Sequence, residues 1–133
     1  MSRGKILIVD DESDIRKLLK VRLELAGFEC LVAGNGEEAL KLVREFKPSL
    51  IILDLVMPGK DGLQTYKELK NYPDLKEVPV IVYTAQSPDM IAERGFEAME
   101  IVDFVLKPFD SKALIYLIEN ALKKSRNEEN THS

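Results

Sequence analysis

The sequence predicts an α/β protein with a five-stranded parallel sheet held between two layers of helices. Three observations carry that expectation. Five apolar runs of strand length recur along the chain: KILIV at 5–9, ECLVA at 29–33, LIILD at 50–54, VPVIVYT at 78–84 and IVDFVL at 101–106. Most are nearly continuous rather than alternating, which is the pattern of strands covered on both faces. Segments of helical periodicity lie between them, and a βα unit repeated five times implies right-handed crossovers with helices on both sides of the sheet.

The first run ends against three consecutive acids, Asp10, Asp11 and Glu12. Segment 13–26 carries Ile15, Leu18, Leu19, Leu25 and Ala26, interrupted by Arg22, and Gly27 stands where a left-handed residue would end a helix. The second run holds the only cysteine, Cys30, which reads as a reduced, buried and inert thiol. Residues 39–46 place Ala39, Leu42, Val43 and Phe46 at i, i+3, i+4 and i+7, one apolar stripe on a polar helix. The third run finishes on Asp54, and MPGKDG after it carries turn residues. A short helix is expected over 63–71. The fourth run finishes on Thr84 and Ala85, and a weakly patterned helix with Gly95 inside it is expected over 88–98. The fifth run leads into Lys107 and Pro108. Asp110 suits the N-cap of a last helix, whose stripe is Leu114, Leu117, Ile118, Ala121 and Leu122. A single domain is expected over 4–124, followed by a polar, disordered tail at 125–133.

With 133 residues, 45% of them hydrophobic and 32% charged, the composition is that of an ordinary globular domain. The net charge of −4 supplies no electrostatic footprint for nucleic acid or for an anionic membrane. The start, MSRGK, has no apolar signal core, and no run approaches the roughly 18 apolar residues of a membrane span. A soluble, cytoplasmic protein is expected.

In an open parallel sheet, binding chemistry collects at the carboxyl ends of the strands, beside the point where strand order reverses. In the order 2-1-3-4-5, strands one and three are neighbours, so Asp10, Asp11 and Asp54 come together. Two carboxylates 4 to 5 Å apart repel by roughly 3 to 4 kcal/mol at an effective dielectric near 20. A bound divalent cation answers that repulsion, and an all-oxygen site with few carboxylates suits Mg²⁺. Lys107 brings a further positive charge to the same edge. Each of these residues alone has an ordinary explanation: a solvated helix start for Asp10 or Asp11, a strand edge for Thr84, a surface lysine for Lys107. Their joint placement on the ends of four strands of one sheet is harder to attribute to coincidence.

Four segments, ILIVDDE, LIILDLVMPGKDG, VIVYTA and FVLKPF, in that order and at about these spacings, resemble the receiver domain of bacterial two-component response regulators. The resemblance covers roughly residues 4 to 124. It implies a flavodoxin-like (βα)5 three-layer sandwich in which Asp54 is the phosphoacceptor. It further implies that Asp11 binds Mg²⁺ directly, that Asp10 helps through water, and that Asp54 and the backbone carbonyl of Val56 complete the protein ligands. Thr84 corresponds to the family's hydroxyl residue, Lys107 to its phosphate-pairing lysine, Phe104 to its aromatic switch residue and Pro108 to the structural proline after a cis bond. The implied partners are a sensor histidine kinase or histidine phosphotransfer protein and a downstream protein target, with no direct nucleic-acid contact and no membrane. Homodimerisation through the fourth and fifth segments enters by analogy alone. The implied role is a phosphoacceptor that assists its own phosphorylation and dephosphorylation, not an enzyme.

One stretch departs from the family. Receivers usually carry a Gly-Ala pair seven or eight residues before the lysine, and here Met99 and Glu100 stand there. The only histidine, His132, lies in the polar tail, which argues against a phosphohistidine donor. A flavin-binding flavodoxin would need a phosphate-cradling loop after the first strand, where two aspartates repel phosphate instead. A phosphatase with an aspartyl nucleophile would place an acid where Val56 stands. The main rival is a receiver-like interaction module that works without phosphorylation. The chain stops after the fifth helix, which fits a stand-alone receiver and a fragment of a longer regulator equally.

Overall fold

A computed structural model describes residues 3–55, 62–84, 103–106 and 110–131. Its strands are β1 (Lys5–Val9), β2 (Glu29–Ala33), β3 (Leu50–Leu53), β4 (Val80–Thr84) and β5 (Asp103–Leu106). The helices are α1 (Ser13–Leu25), α2 (Gly36–Phe46), α3 (Gly62–Lys70) and a C-terminal helix, Ser111–Thr131. All strand pairs are parallel, and the order is β2-β1-β3-β4-β5, as the sequence predicts. The helix expected over 88–98 lies outside the described residues.

Period-two alternation divides the strands between two cores. Leu7, Val9, Ile51, Leu53, Val80 and Val82 face α2 and α3 and pack with Ala39, Val43, Tyr66 and Leu69. Ile6, Ile8, Cys30, Leu50, Ile52, Ile81 and Tyr83 face the other way and pack with Leu19 and Leu23 of α1 and with Leu114, Ile118 and Ala121 of the C-terminal helix. Burial on both sides is why these strands read as unbroken apolar runs, and each such side chain contributes about 1.5–3 kcal/mol by leaving water. The stripe expected on α2 is all in contact with the first core, Leu42 and Phe46 at its margin. The stripe on the C-terminal helix is likewise in the second, with Leu117 at its margin.

Helix α1 departs from the expectation. Leu19 and Leu23, one turn apart, are its buried residues, whereas Leu18, Val21 and Leu25 are exposed, Leu25 by 82%. At 100° per residue, positions 18 and 25 share a face that the 19/23 face does not include. The end of α1 is as foreseen: Gly27 has φ 102°, its N–H donates to the Glu24 carbonyl at 3.0 Å, and the Phe28 N–H donates to Leu23 at 3.0 Å. That pair of bonds is a Schellman closure, with buried Phe28 and Leu23 as its hydrophobic contact.

Two other boundaries shift for local reasons. Strand β4 begins at Val80 rather than 78, because Pro79 has no N–H to give to a ladder, although its carbonyl still accepts from Ile51 at 3.0 Å. The connection into it is held by Lys70, whose Nζ donates to the carbonyls of Leu75 at 3.1 Å and Val78 at 2.6 Å. At the other end of the chain the backbone is helical through Thr131, past the point where a disordered tail is expected. Residues 125–131, SRNEENT, include one Arg and two Glu among weaker helix formers, so this stretch extends an existing helix, which is far easier than starting one. Asp110 caps this helix, its Oδ1 accepting from the Lys112 N–H at 3.1 Å.

Two outcomes follow. Gly27→Ala places a side chain in a backbone conformation that strains it, and a loss of about 1 kcal/mol or more in urea-unfolding free energy is expected. Burial first, then nearby Glu24, pushes the Cys30 thiol up to about 11, so it stays protonated at pH 8. Ellman's reagent is expected to label it slowly in the native protein and rapidly in urea.

Candidate functional site

The site is assembled by strand register. Val9 of β1 pairs with Leu53 of β3, so the next residue on each strand, Asp10 and Asp54, emerges side by side at the carboxyl edge of the sheet. Backbone hydrogen bonds continue past the last paired residues: the Asp54 N–H donates to the Val9 carbonyl at 2.9 Å, and the Asp10 N–H to Ala33 at 3.1 Å. The two aspartates are therefore held by the ladder itself and not by a free loop. Both are almost wholly buried, Asp10 at 1% exposure and Asp54 at 4%.

Asp10, Asp11, Glu12 and Asp54 each bring a carboxylate oxygen to within 4.8 Å of all the others. The carboxylate of Asp10 is oriented by its own loop, Oδ1 accepting from the Glu12 N–H at 2.8 Å, an Asx-type turn that faces the chain into α1. Asp11 and Glu12 are exposed and complete the open side. The structure brings Asp10, Asp11 and Asp54 together as the sequence reading expects, and it adds Glu12, which that reading does not name as a candidate ligand, to the same cluster. The signal for Glu12 was its position one residue before α1, where the turn that orients Asp10 folds it back toward the cluster.

Four carboxylates at this spacing make a hard, all-oxygen donor set with strong mutual repulsion. Such a set fits a hard divalent cation, since neutral or soft-metal ligands are absent from it. Among the described residues this is the one group of His, Cys, Asp and Glu side chains with metal-ligand spacing.

Behind Asp54 the backbone is packed tightly. The Gly62 N–H donates to the Leu55 carbonyl at 2.9 Å, and a Cβ at Gly62 would lie 2.4 Å from Leu55 Cα and 2.8 Å from the Asp54 carbonyl oxygen. Only glycine lets α3 start so close to the strand end that carries Asp54.

Thr84 closes β4 and pairs with Leu106, and Phe104 pairs with Val82. Because Leu53 is level with Val82, Thr84 belongs to the same carboxyl edge as Asp54, and Lys107 follows directly on the last residue of β5. Val56, Lys107 and Pro108 lie outside the described residues.

Comparison with known proteins bears on the family and the fold. The family model for the response regulator receiver domain matches residues 6–119. The chain is 41% identical over 123 residues to the probable transcriptional regulator ycf27 of Porphyra purpurea, covering 92% of this chain and 49% of that protein. It is 36% identical over 120 residues to the phosphate regulon transcriptional regulatory protein PhoB of Pseudomonas aeruginosa, covering 90% and 52%. The chain thus spans about half the length of these relatives. Among solved structures, NtrX of Brucella abortus superposes with a TM-score of 0.88 at 31% identity, covering 99% of this chain and 30% of that one. The chemotaxis protein CheY4 of Vibrio cholerae superposes with a TM-score of 0.82 at 28% identity, covering 89% and 98%.

The carboxylate cluster carries a stability signature. In metal-free buffer Asp54→Asn removes one of four like charges, and its thermal midpoint is expected to exceed that of the unaltered chain, by about 1–3 kcal/mol in stability. Mg²⁺ at a hundredfold over its Kd is expected to stabilise the unaltered chain by about 2.7 kcal/mol and the variant by much less. Equal Mg²⁺ responses of the two proteins would contradict the site.

Proposed function

Because the chain belongs to the response regulator receiver domain family, we propose that it is a phosphoacceptor of a two-component phosphorelay, with Asp54 as the residue phosphorylated. The observation that carries this reading is the placement of Asp54: 96% removed from solvent, at a strand end, among three further carboxylates. Bringing a buried carboxylate this close to three others costs the fold stability, which favours a functional reason for its placement.

Asp10, Asp11 and Asp54, with the Val56 backbone carbonyl by family resemblance, would hold Mg²⁺. When bound, the ion supplies charge neutralisation for the oxygens of a phosphoryl group at Asp54. The residues of the chain do the rest. The Asp54 carboxylate oxygen attacks the phosphorus of a phosphohistidine, the P–N bond breaks, and the imidazole of the donor leaves with the electron pair. An acyl phosphate on Asp54 results, so one transfer is divided into two steps. Lys107 pairs with a phosphoryl oxygen, and Thr84, on the same sheet edge, donates a hydrogen bond to another. Positioning and charge supply most of the acceleration, as in phosphoryl transfer generally.

The same resemblance gives the output. Movement of Thr84 toward the phosphoryl group vacates space for Phe104, which couples a local change of charge to the surface around β5. The chain is then a signalling domain and not an enzyme acting on a separate substrate. Its partners are a sensor kinase or histidine phosphotransfer protein upstream and a protein target downstream. By the same resemblance it works in the cytoplasm; none of the described helices is long and apolar enough to cross a membrane.

Incubation with acetyl phosphate, followed by intact mass, tests the assignment. A gain of one phosphoryl group is expected with Mg²⁺, little without it, and none in Asp54→Asn. Failure of the unaltered chain to accept phosphate from both acetyl phosphate and a phosphorylated kinase would contradict it.

A further inference from the structure

Three hydrogen bonds among the described residues hold Asp10, and one of them is not explained by the sheet. Its N–H goes to Ala33 and its Oδ1 takes the Glu12 N–H. Its carbonyl oxygen, already beyond the last strand residue, accepts from Nη1 of Arg16 at 2.7 Å. That carbonyl belongs to the peptide joining Asp10 to Asp11. The plane of this peptide sets the direction in which Asp11 leaves the backbone.

The guanidinium reaches this carbonyl from the first turns of α1 and passes close to the β2–α2 loop at Gly34. A Cβ at Gly34 would stand 3.2 Å from Arg16 Nη1 and 3.5 Å from its Cζ. Gly34 is itself fixed, its N–H donating to Glu38 Oε2 at 3.3 Å, while the Glu38 N–H donates to Asn35 Oδ1 at 2.8 Å to cap α2. Arg16 therefore spans two loops at the carboxyl edge, and its bond is to a main-chain oxygen rather than to a carboxylate.

We propose that Arg16 is a positioning residue for the divalent-cation site, fixing the Asp10–Asp11 peptide so that both carboxylates converge, with Gly34 leaving the space that the guanidinium needs. The inference rests on the metal-binding reading given above and deepens it. It has a sign that separates it from simple proximity of charge. A cation-bearing side chain beside four carboxylates competes with a metal, so on Coulomb's law alone its removal tightens Mg²⁺ binding. Loss of a partner that orients ligands weakens binding instead, typically by 10- to 100-fold.

Calorimetric titration of MgCl₂ into the full chain, Arg16→Met, Arg16→Lys, Gly34→Ala and the Arg16→Met/Gly34→Ala double variant decides the question, with metal-free thermal unfolding to establish that each is folded. The expected result is a Kd on the order of tenfold weaker in Arg16→Met, partly recovered in Arg16→Lys. Gly34→Ala is expected to weaken binding when Arg16 is present and to change nothing when it is Met, a coupling that independent structural damage would not produce. An unchanged or tighter Kd in folded Arg16→Met overturns the proposal. If that variant does not fold, a native Kd in Gly34→Ala overturns it equally. Absence of Mg²⁺ binding in the unaltered chain would sink the metal reading itself, whereas normal binding there with an unaffected Arg16→Met sinks the role of Arg16 alone.

Discussion

The pairing of β1 with β3 is the constraint on which the rest of the site depends. Val9 lies against Leu53, and the two residues that follow are acids because the strands stop there. A one-residue slip in this pairing would turn every side chain of a strand to the opposite face. It would bury Leu7 and Val9 against the wrong helices and carry Asp10 away from Asp54. The apolar residues of both cores thus enforce the placement of the two buried carboxylates. Hydrophobic burial supplies the free energy that holds like charges together, and a bound cation would relieve the repulsion that remains.

This division of labour explains the loops around the site. Each acid is positioned by backbone: Asp54 by its ladder bond to Val9, Asp10 by Ala33 and by the turn to Glu12. Gly62 allows α3 to begin against the Asp54–Leu55 backbone, where a Cβ would collide with main-chain atoms that cannot yield. Arg16 bonds the acidic loop and passes close to Gly34 in the loop that starts α2. A small, rigidly coordinated ion would need ligands set in advance, and the connections that carry these carboxylates are short and held by backbone hydrogen bonds.

Much of this was legible in the sequence because two-sided burial leaves an unmistakable mark. Strands β1 and β2 coincide with their apolar runs, and the strand order places Asp10, Asp11 and Asp54 together as expected. The parts that were not legible depend on contacts absent from any local pattern. In α1, Leu18, Leu19 and Leu25 look alike in sequence, yet only Leu19 meets the sheet. Glu12 resembles any acid at a helix start until the Asp10 turn brings it round. Arg16 reads as a polar residue of an amphipathic helix, since nothing in its neighbours announces a carbonyl waiting six residues earlier. The tight space at Gly34 is invisible without the guanidinium beside it.

The central claim is that the buried acid at the end of β3 takes the phosphoryl group. Borohydride reduces an aspartyl phosphate to homoserine, so phosphorylated protein can be trapped, digested and sequenced by mass spectrometry. Homoserine at position 54 and at no other aspartate is the predicted result. Homoserine at position 10 or 11, or a retained phosphoryl group that borohydride does not remove, would contradict the account.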